Sequence, residues 1–391
     1  MATPPLHLAV ALDGAGWHPA AWRADDARPH ELFSARYWVD LVAEAERGVV
    51  DFVTIDDSLA LQSLRRGVPD DRVDKVRGRL DAVLVASRVA PTTSRIGLVP
   101  VATTTHTEPF HISKSIATLD YVSEGRAGVQ VRVSSSAVET AQFGRRDPNE
   151  AVPVDDLFDE AADFVEVIRR LWDSWEDDAE IRDKATGRFV DRDKLHYIDF
   201  EGRFFAVRGP SITPRPPQGQ PLVSALAHVT APYRLAARGA DVVYITPHDL
   251  DELHRIHSEL RSHEIEVGRT GEPLRVFVDL VVFLDERPGE AAARKARLDE
   301  LDEHVFRSDA LVFTGTPSEL AAHLEAWHVE GIAGFRLRPG AQPHDVSAIS
   351  RLLVPVLQAR GSFRHRYEER TLRARLGLGR PANRYATGVA R

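Results

Sequence analysis

The 391-residue chain has no cysteine, which removes disulfides, thiolate nucleophiles and cysteine-ligated metals from its chemistry. That absence fits any compartment. A surplus of positive charge is also missing: 50 Lys and Arg face 59 Asp and Glu, a net charge of -9. Nucleic acids and anionic membranes both select a basic face, so neither is an expected partner. No run approaches the roughly 20 apolar residues of a membrane span. The opening "MATPPLHLAV" has neither the basic stretch nor the long apolar core of a secretory signal. A soluble, cytoplasmic protein is the expectation. No strand candidate leads into a GxGxxG turn, and no P-loop, nucleophile elbow or HExxH pattern occurs.

Hydrophobic residues make up 43% of the chain and charged ones 28%, an ordinary balance for a folded protein with a large core. Short β-rich runs alternate with helical patterns. "LHLAVAL" precedes "SARYWVDLVAEAERG", "DFVTI" precedes "LDAVLVASRV", and "RIGLVPVA" precedes "ISKSIATLDYVSEG". "RAGVQVRV" is followed by "LFDEAADFVEVIRRLW", "PLVSAL" by "APYRLAARG", and "ADVVYI" by "LDELHRIHSELRSHEIEVG". The last two units are "LRVFVDLVVFL" with "PGEAAARKARLDELDEHVF" and "GFRLR" with "VSAISRLLVPVLQARG". Strict alternation implies a parallel sheet, and eight units over this length predict an α/β fold of the closed (β/α)8 TIM-barrel type. Residues 173–220, rich in charge, Pro and Gly, are too long for a plain connection and form an inserted excursion between the fourth helix and fifth strand. The expected division is a barrel over 1–360, including that insertion, and an Arg-rich extension over 361–391. The extension is expected to reach across the surface or onto a partner subunit.

In such a barrel chemistry gathers at the C-terminal ends of the strands. Those ends supply Asp13, Asp56-Asp57-Ser58, Thr103-Thr104-Thr105-His106, Ser134-Ser135-Ser136, Ala227-His228, Thr246-Pro247-His248 and Arg338. Hydroxyls dominate, which suits a bulky polar ligand held by hydrogen bonds. "HTEPFH" offers His106, Glu108 and His111 to a metal, but Pro109 between them reads better as the first residue of a capped helix. "LDGAGWHPAAWR" (Leu12–Arg23) has two glycines, a proline, a histidine and two indoles. It reads as a loop that folds back over a pocket or fills a gap in packing.

From Leu6 to about Arg360 the chain resembles the bacterial luciferase-like monooxygenases, in the branch of the nitrilotriacetate, dibenzothiophene-sulfone and long-chain alkane monooxygenases. The resemblance rests on "AGWHPAAWR", "AERGVVDFVTIDDSL", "TSRIGLVPVATTTHTEPFHISKSIATLDYVSEGRAG", "LWDSWEDDA", "TGRFVDRDKLHYIDFEGRFFAVRGP" and "RPPQGQP". It implies a barrel that binds FMN at its strand ends, reduced FMN arriving from a separate flavin reductase and reacting with O2 to oxygenate a small organic substrate. Such chemistry needs a dry site. By the same resemblance, His18 is the catalytic histidine of the mouth loop. Asp57, Thr104, Gln130, Ser134, Ala227 and His228 are the cofactor-binding positions, and no metal is implied. A homodimer or homotetramer is expected. The family's "NVVTS" is "QVRVS" here, with Gln130 for Asn, Val133 for Thr and Ser134 retained. The His and Tyr that help hold phosphate are Val154 and Phe158, and "QAGxSxxG" has become "ALAHVTAP", with Ala227 and Val229 for Gly and Ser. Two alternatives remain open: an F420-dependent oxidoreductase, and a flavin-free barrel acting as a ligand-binding or regulatory subunit.

Overall fold

The structure, a computed structural model, describes residues 6–386 except 64, 66, 67 and 330. Eight strands follow one another in the chain and close on themselves. They are β1 (His7–Leu12), β2 (Phe52–Ile55), β3 (Gly97–Thr103), β4 (Gly128–Arg132), β5 (Leu222–Leu226), β6 (Val242–Ile245), β7 (Arg275–Leu284) and β8 (Ile332–Pro339). Each pairs in parallel with the next, and β8 pairs with β1, which completes the barrel. All eight match the runs read from the sequence.

Helices wrap the outside because their apolar residues recur at helical spacing. The first, α1 (Ala35–Arg47), starts where the Ser34 hydroxyl accepts the Tyr37 N–H and buries Tyr37, Trp38, Leu41, Val42 and Ala45. It ends at Gly48, where a Cβ would lie 2.8 Å from the Ser350 backbone, so close approach of the helical turn Ile349–Leu353 requires glycine.

One strand–helix unit was not anticipated. Leu311–Gly315 pairs with the outer half of β7, beyond the barrel's closed ring, and leads into the helix Pro317–Trp327. The 173–220 excursion is built from two small antiparallel hairpins, Glu180–Asp183 with Arg188–Val190 and Phe200–Glu201 with Ala206–Val207.

The extension after Gly361 packs against its own barrel. Leu372, Leu376 and Leu378 join Ala9, Phe52, Val99, Leu222, Val242, Tyr244 and Phe277 in one buried cluster that floors the barrel. Arg375 donates to the carbonyls of Asp51 and Arg95, each at 2.7 Å, and Arg364 pairs with the Asp51 carboxylate.

Above this apolar floor the barrel interior is ionic. On β8, Arg336 and Arg338 are two residues apart and share the inner face. Both bind Asp279 of β7: Arg336 Nε donates to Oδ1 at 2.8 Å and Arg338 Nε to Oδ2 at 2.9 Å. Arg336 also donates to Gln130 Oε1 at 2.6 Å and stacks 3.6 Å from the Tyr244 ring centroid. Two buried guanidinium groups depend on one fully buried carboxylate. Removing that partner should therefore cost about 3–5 kcal/mol. Urea unfolding of Asp279→Asn is the measurement; a loss under about 1 kcal/mol would show that the pairing does not carry the interior.

Candidate active site

The loop Leu12–Arg23 is zipped onto the end of β8. Trp17 and His18 donate their backbone N–H groups to the carbonyls of Pro339 and Gly340, each at 3.0 Å, and Gln342 returns one to Ala15. Gly16 adopts φ +129°, and a Cβ there would meet the Gly340 oxygen at 2.6 Å. Only glycine lets the loop lie this close. The Trp17 ring stacks 4.6 Å from the Arg338 guanidinium, and Trp22 Nε1 donates to the Asp74 carbonyl. Both indoles wall a cavity of about 270 Å³ that also touches Asp13, Gln62, Lys75 and Arg77.

A second, larger cavity of about 910 Å³ opens over the ends of β2 and β4. Its wall includes Asp57, Ser58, Arg79, Arg132, the serines 134–136 and Glu139. Glu139 ties the two rims together. Its Oε1 accepts from Ser58 Oγ at 2.8 Å, the Leu59 N–H at 3.2 Å and Arg132 Nη1 at 3.0 Å. Asp57 accepts the N–H groups of Ser58 and Ala82, while burial pushes its carboxyl above the ordinary value.

Arg79 stands between the cavities, donating to Asp56 at 2.6 Å and to Asp13 at 2.9 Å. Burial pushes Asp13 up to about 6, against the pull of Arg79.

Of the residues singled out in the sequence, Asp57 and Ser134 meet in the larger cavity. Thr104 lies buried at the rim and donates to the Arg132 carbonyl at 3.1 Å. Gln130 has its carbonyl committed to Arg336, inside the barrel. Ala227 is fully buried, and its N–H donates to the Tyr244 carbonyl, so neither its side chain nor its N–H is left for a cofactor. His228 is half-exposed; its Nδ1 lies 2.9 Å from Thr246 Oγ1, and burial holds its pKa below the ordinary value.

His18 has a different post from the one expected of a catalytic group. Its side chain is 0% exposed, Nδ1 accepts the Ala20 N–H at 3.0 Å and Nε2 lies 3.0 Å from Asp299 Oδ1. Both ring nitrogens are occupied, and the ring packs against Phe283 and Phe306. It fixes the mouth loop to the helix Glu290–Asp302.

In "HTEPFH", Pro109 is the first residue of the helix Pro109–Val122, Glu108 pairs with Arg145 and His106 stacks on Phe143. No group of side chains placed to hold a metal ion occurs among the described residues. Arg132, Glu139, Arg79 and Asp309 escaped the sequence reading. For Arg132 the signal was present: in "QVRV" the alternation sends Gln130 and Arg132 to the same inner face.

Residues 15–334 match the family model described as luciferase-like monooxygenase. The chain belongs to the luciferase-like monooxygenase family. It is 31% identical to N-acetyl-S-(2-succino)cysteine monooxygenase of Bacillus subtilis (strain 168), over 97% of this chain and 98% of that protein. It is likewise 31% identical to nitrilotriacetate monooxygenase component A of Aminobacter aminovorans, over 98% and 99% of the two chains. That second alignment spans 451 positions against the 391 residues here, so at least 60 positions of the relative have no counterpart in this chain. In structure, EDTA monooxygenase from Chelativorans sp. BNC1 superposes with a TM-score of 0.83 at 23% identity, over 96% of this chain and 99% of that one. Among the described residues no helix is long and apolar enough to cross a membrane.

Burial lowers the pKa of His18, opposed by Asp299, so the native ring binds its proton less readily than the unfolded one. Between the native pKa and the unfolded value of about 6.5 the unfolded chain holds more protons, so stability falls as pH falls through that window. His18→Gln should reduce this slope and cost roughly 1–3 kcal/mol at pH 7 through the broken buried hydrogen bonds. Urea denaturation at pH 5, 6 and 7 measures both; an unchanged slope would show that His18 titrates normally.

Proposed function

We propose that this family member is the oxygenase component of a two-component flavin monooxygenase. Reduced FMN from a separate flavin reductase would occupy the larger cavity, and a small organic substrate the smaller one. The observation that carries this reading is the larger cavity itself. At about 910 Å³ it has room for a flavin, and its wall combines the Asp57 carboxylate, the Arg132 guanidinium and the hydroxyls of Ser58 and residues 134–136. These groups fit the polar edge of an isoalloxazine ring, with Asp57 and Ser134 as its direct holders and Thr104 shaping the rim.

When bound, FMN supplies the two electrons that activate O2. The chain's own residues do the rest. The loop of Trp17 and Trp22 screens the smaller cavity from water, and His18 positions that loop through Asp299. Asp13, with its elevated pKa, holds or releases a proton near neutral pH at the boundary of the two cavities.

The end of β5 offers little to a phosphate. Val154 and Val229 are exposed apolar side chains, Phe158 packs against the core and the Ala227 N–H is spent. His228 is the nearby group that gains charge as pH falls. Charge-assisted hydrogen bonds are worth roughly 1.5–3 kcal/mol each, and each 1.4 kcal/mol is about tenfold in affinity. Oxidised FMN is therefore held with micromolar or poorer affinity, and the protein purifies nearly colourless. This neutral loop also lacks the basic phosphate pocket that would favour F420.

Two measurements test the reading. NADH with the pure protein and oxidised FMN should be consumed no faster than in the blank, whereas adding a flavin reductase should start flavin-dependent O2 uptake. Rapid NADH oxidation by the protein alone would sink the two-component assignment. FMN titration by fluorescence quenching should give a micromolar or weaker Kd, tightening at lower pH through His228; nanomolar binding would show that other residues hold the phosphate. The chain is further expected to form a homodimer or homotetramer, which a monomer in light scattering at micromolar concentration would contradict.

A further inference from the structure

Arg132 is the last residue of β4 and lines the larger cavity with 32% of its side chain exposed. One end of its guanidinium is engaged. Nη1 donates to Thr103 Oγ1 at 3.0 Å and to the Glu139 oxygens at 3.0 and 3.2 Å. Nε and Nη2 have no hydrogen-bond partner among the described residues. Those two N–H groups form the parallel fork that matches a pair of adjacent acceptors. Burial alone would raise the Glu139 carboxyl, but hydrogen bonds from Ser134 and Ser58 and the Arg132 charge hold it below the ordinary value. It therefore stays ionised and offsets part of the arginine's charge. A half-compensated guanidinium with a free fork suits a delocalised monoanion better than a phosphate dianion.

Resting on the flavin reading above, we propose that Arg132 recognises the negative charge that the isoalloxazine ring acquires on reduction. Two electrons and one proton added to the neutral ring leave it a monoanion, with the charge shared between N1 and the neighbouring C2 oxygen, two adjacent acceptors. A fixed cation there favours the reduced over the oxidised ring. The chain thereby captures reduced flavin and releases the oxidised form, the selectivity required of a protein that receives its flavin already reduced. In this chain the arginine replaces the second valine of the "NVVTS" pattern, so the device is its own departure from the resemblance.

The experiment compares wild type, Arg132→Val and Arg132→Lys with four probes: FMN and riboflavin, each oxidised and each photoreduced under anaerobic conditions. Arg132→Val should weaken reduced FMN and reduced riboflavin alike by about tenfold or more, with the oxidised forms changing by less than about threefold. The midpoint potential of the bound flavin should fall by about 30 mV for each tenfold lost. Arg132→Lys should keep most of the preference. Should the valine variant fold poorly, Arg132→Gln, which retains N–H donors toward Thr103 and Glu139, carries the same comparison. Equal losses for oxidised and reduced flavin, a loss confined to FMN (a phosphate anchor instead) or no change would each overturn the assignment while leaving flavin binding intact. A wild-type protein that binds neither flavin in either state would overturn the flavin reading itself, and Arg132's role with it.

Discussion

Asp279 is the point on which the barrel's upper half depends. A carboxylate on β7 receives two arginines from β8, and both arginines then organise the mouth. Arg336 reaches across the barrel to Gln130 and packs over Tyr244, joining the ionic layer to the apolar floor. Arg338 passes beneath Trp17 and binds Asp309 at 2.7 Å, which anchors the segment leading into the extra strand Leu311–Gly315. Hydrocarbon packing tolerates small slips, but a guanidinium fork and a carboxylate do not. The ionic layer thus fixes the register of the side chains that surround both cavities.

Around the rim the same principle of shared partners is repeated. Arg79 serves Asp13 in one cavity and Asp56 in the other, and Glu139 serves Arg132, Ser58 and Leu59. Each shared group links two loops that are distant in sequence, and the links lie at the mouth, where loop motion would otherwise admit water. The covering of the barrel falls to the Trp17–Trp22 loop and to the segment after β2, both held by polar clamps.

The barrel was legible because its strands are short apolar runs separated by amphipathic helices, a pattern that survives without any tertiary information. The extra unit was not, because "LVFTG" is a half-buried strand with no alternation, although Thr316, Pro317 and Glu319 do carry a helix-start signature that the structure shows as a capping box. The floor was missed because the arginines of the extension drew attention to solvent, while the work is done by Leu372, Leu376 and Leu378 between them. For the candidate site, family likeness pointed to Asp57 and Ser134, which line the larger cavity, but could not show that Ala227 spends its N–H within the barrel or that His18 has both nitrogens engaged. Those are facts of pairing, which depend on partners elsewhere in the chain: Tyr244 for Ala227 and the distant Asp299 for His18. Asp279 left a trace: one acid inside "VFVDLVVFL", faced by two arginines at period two in "FRLRP".

Gln62, Ser63, Asp70 and Arg77 line both cavities, so the segment after β2 forms a wall common to them. A ligand in the larger cavity presses on the same chain that bounds the smaller one. Arg79 adds an electrostatic connection across that wall: a negative group near Asp56 draws on the guanidinium and weakens its hold on Asp13, raising the Asp13 carboxyl further. A negative group held at Arg132 would disturb this balance less than one bound on the Asp56 side. The placement of Arg132 at the end of β4 therefore separates two cations: Arg132 faces the larger cavity, while Arg79 is left beside Asp13 and Asp56.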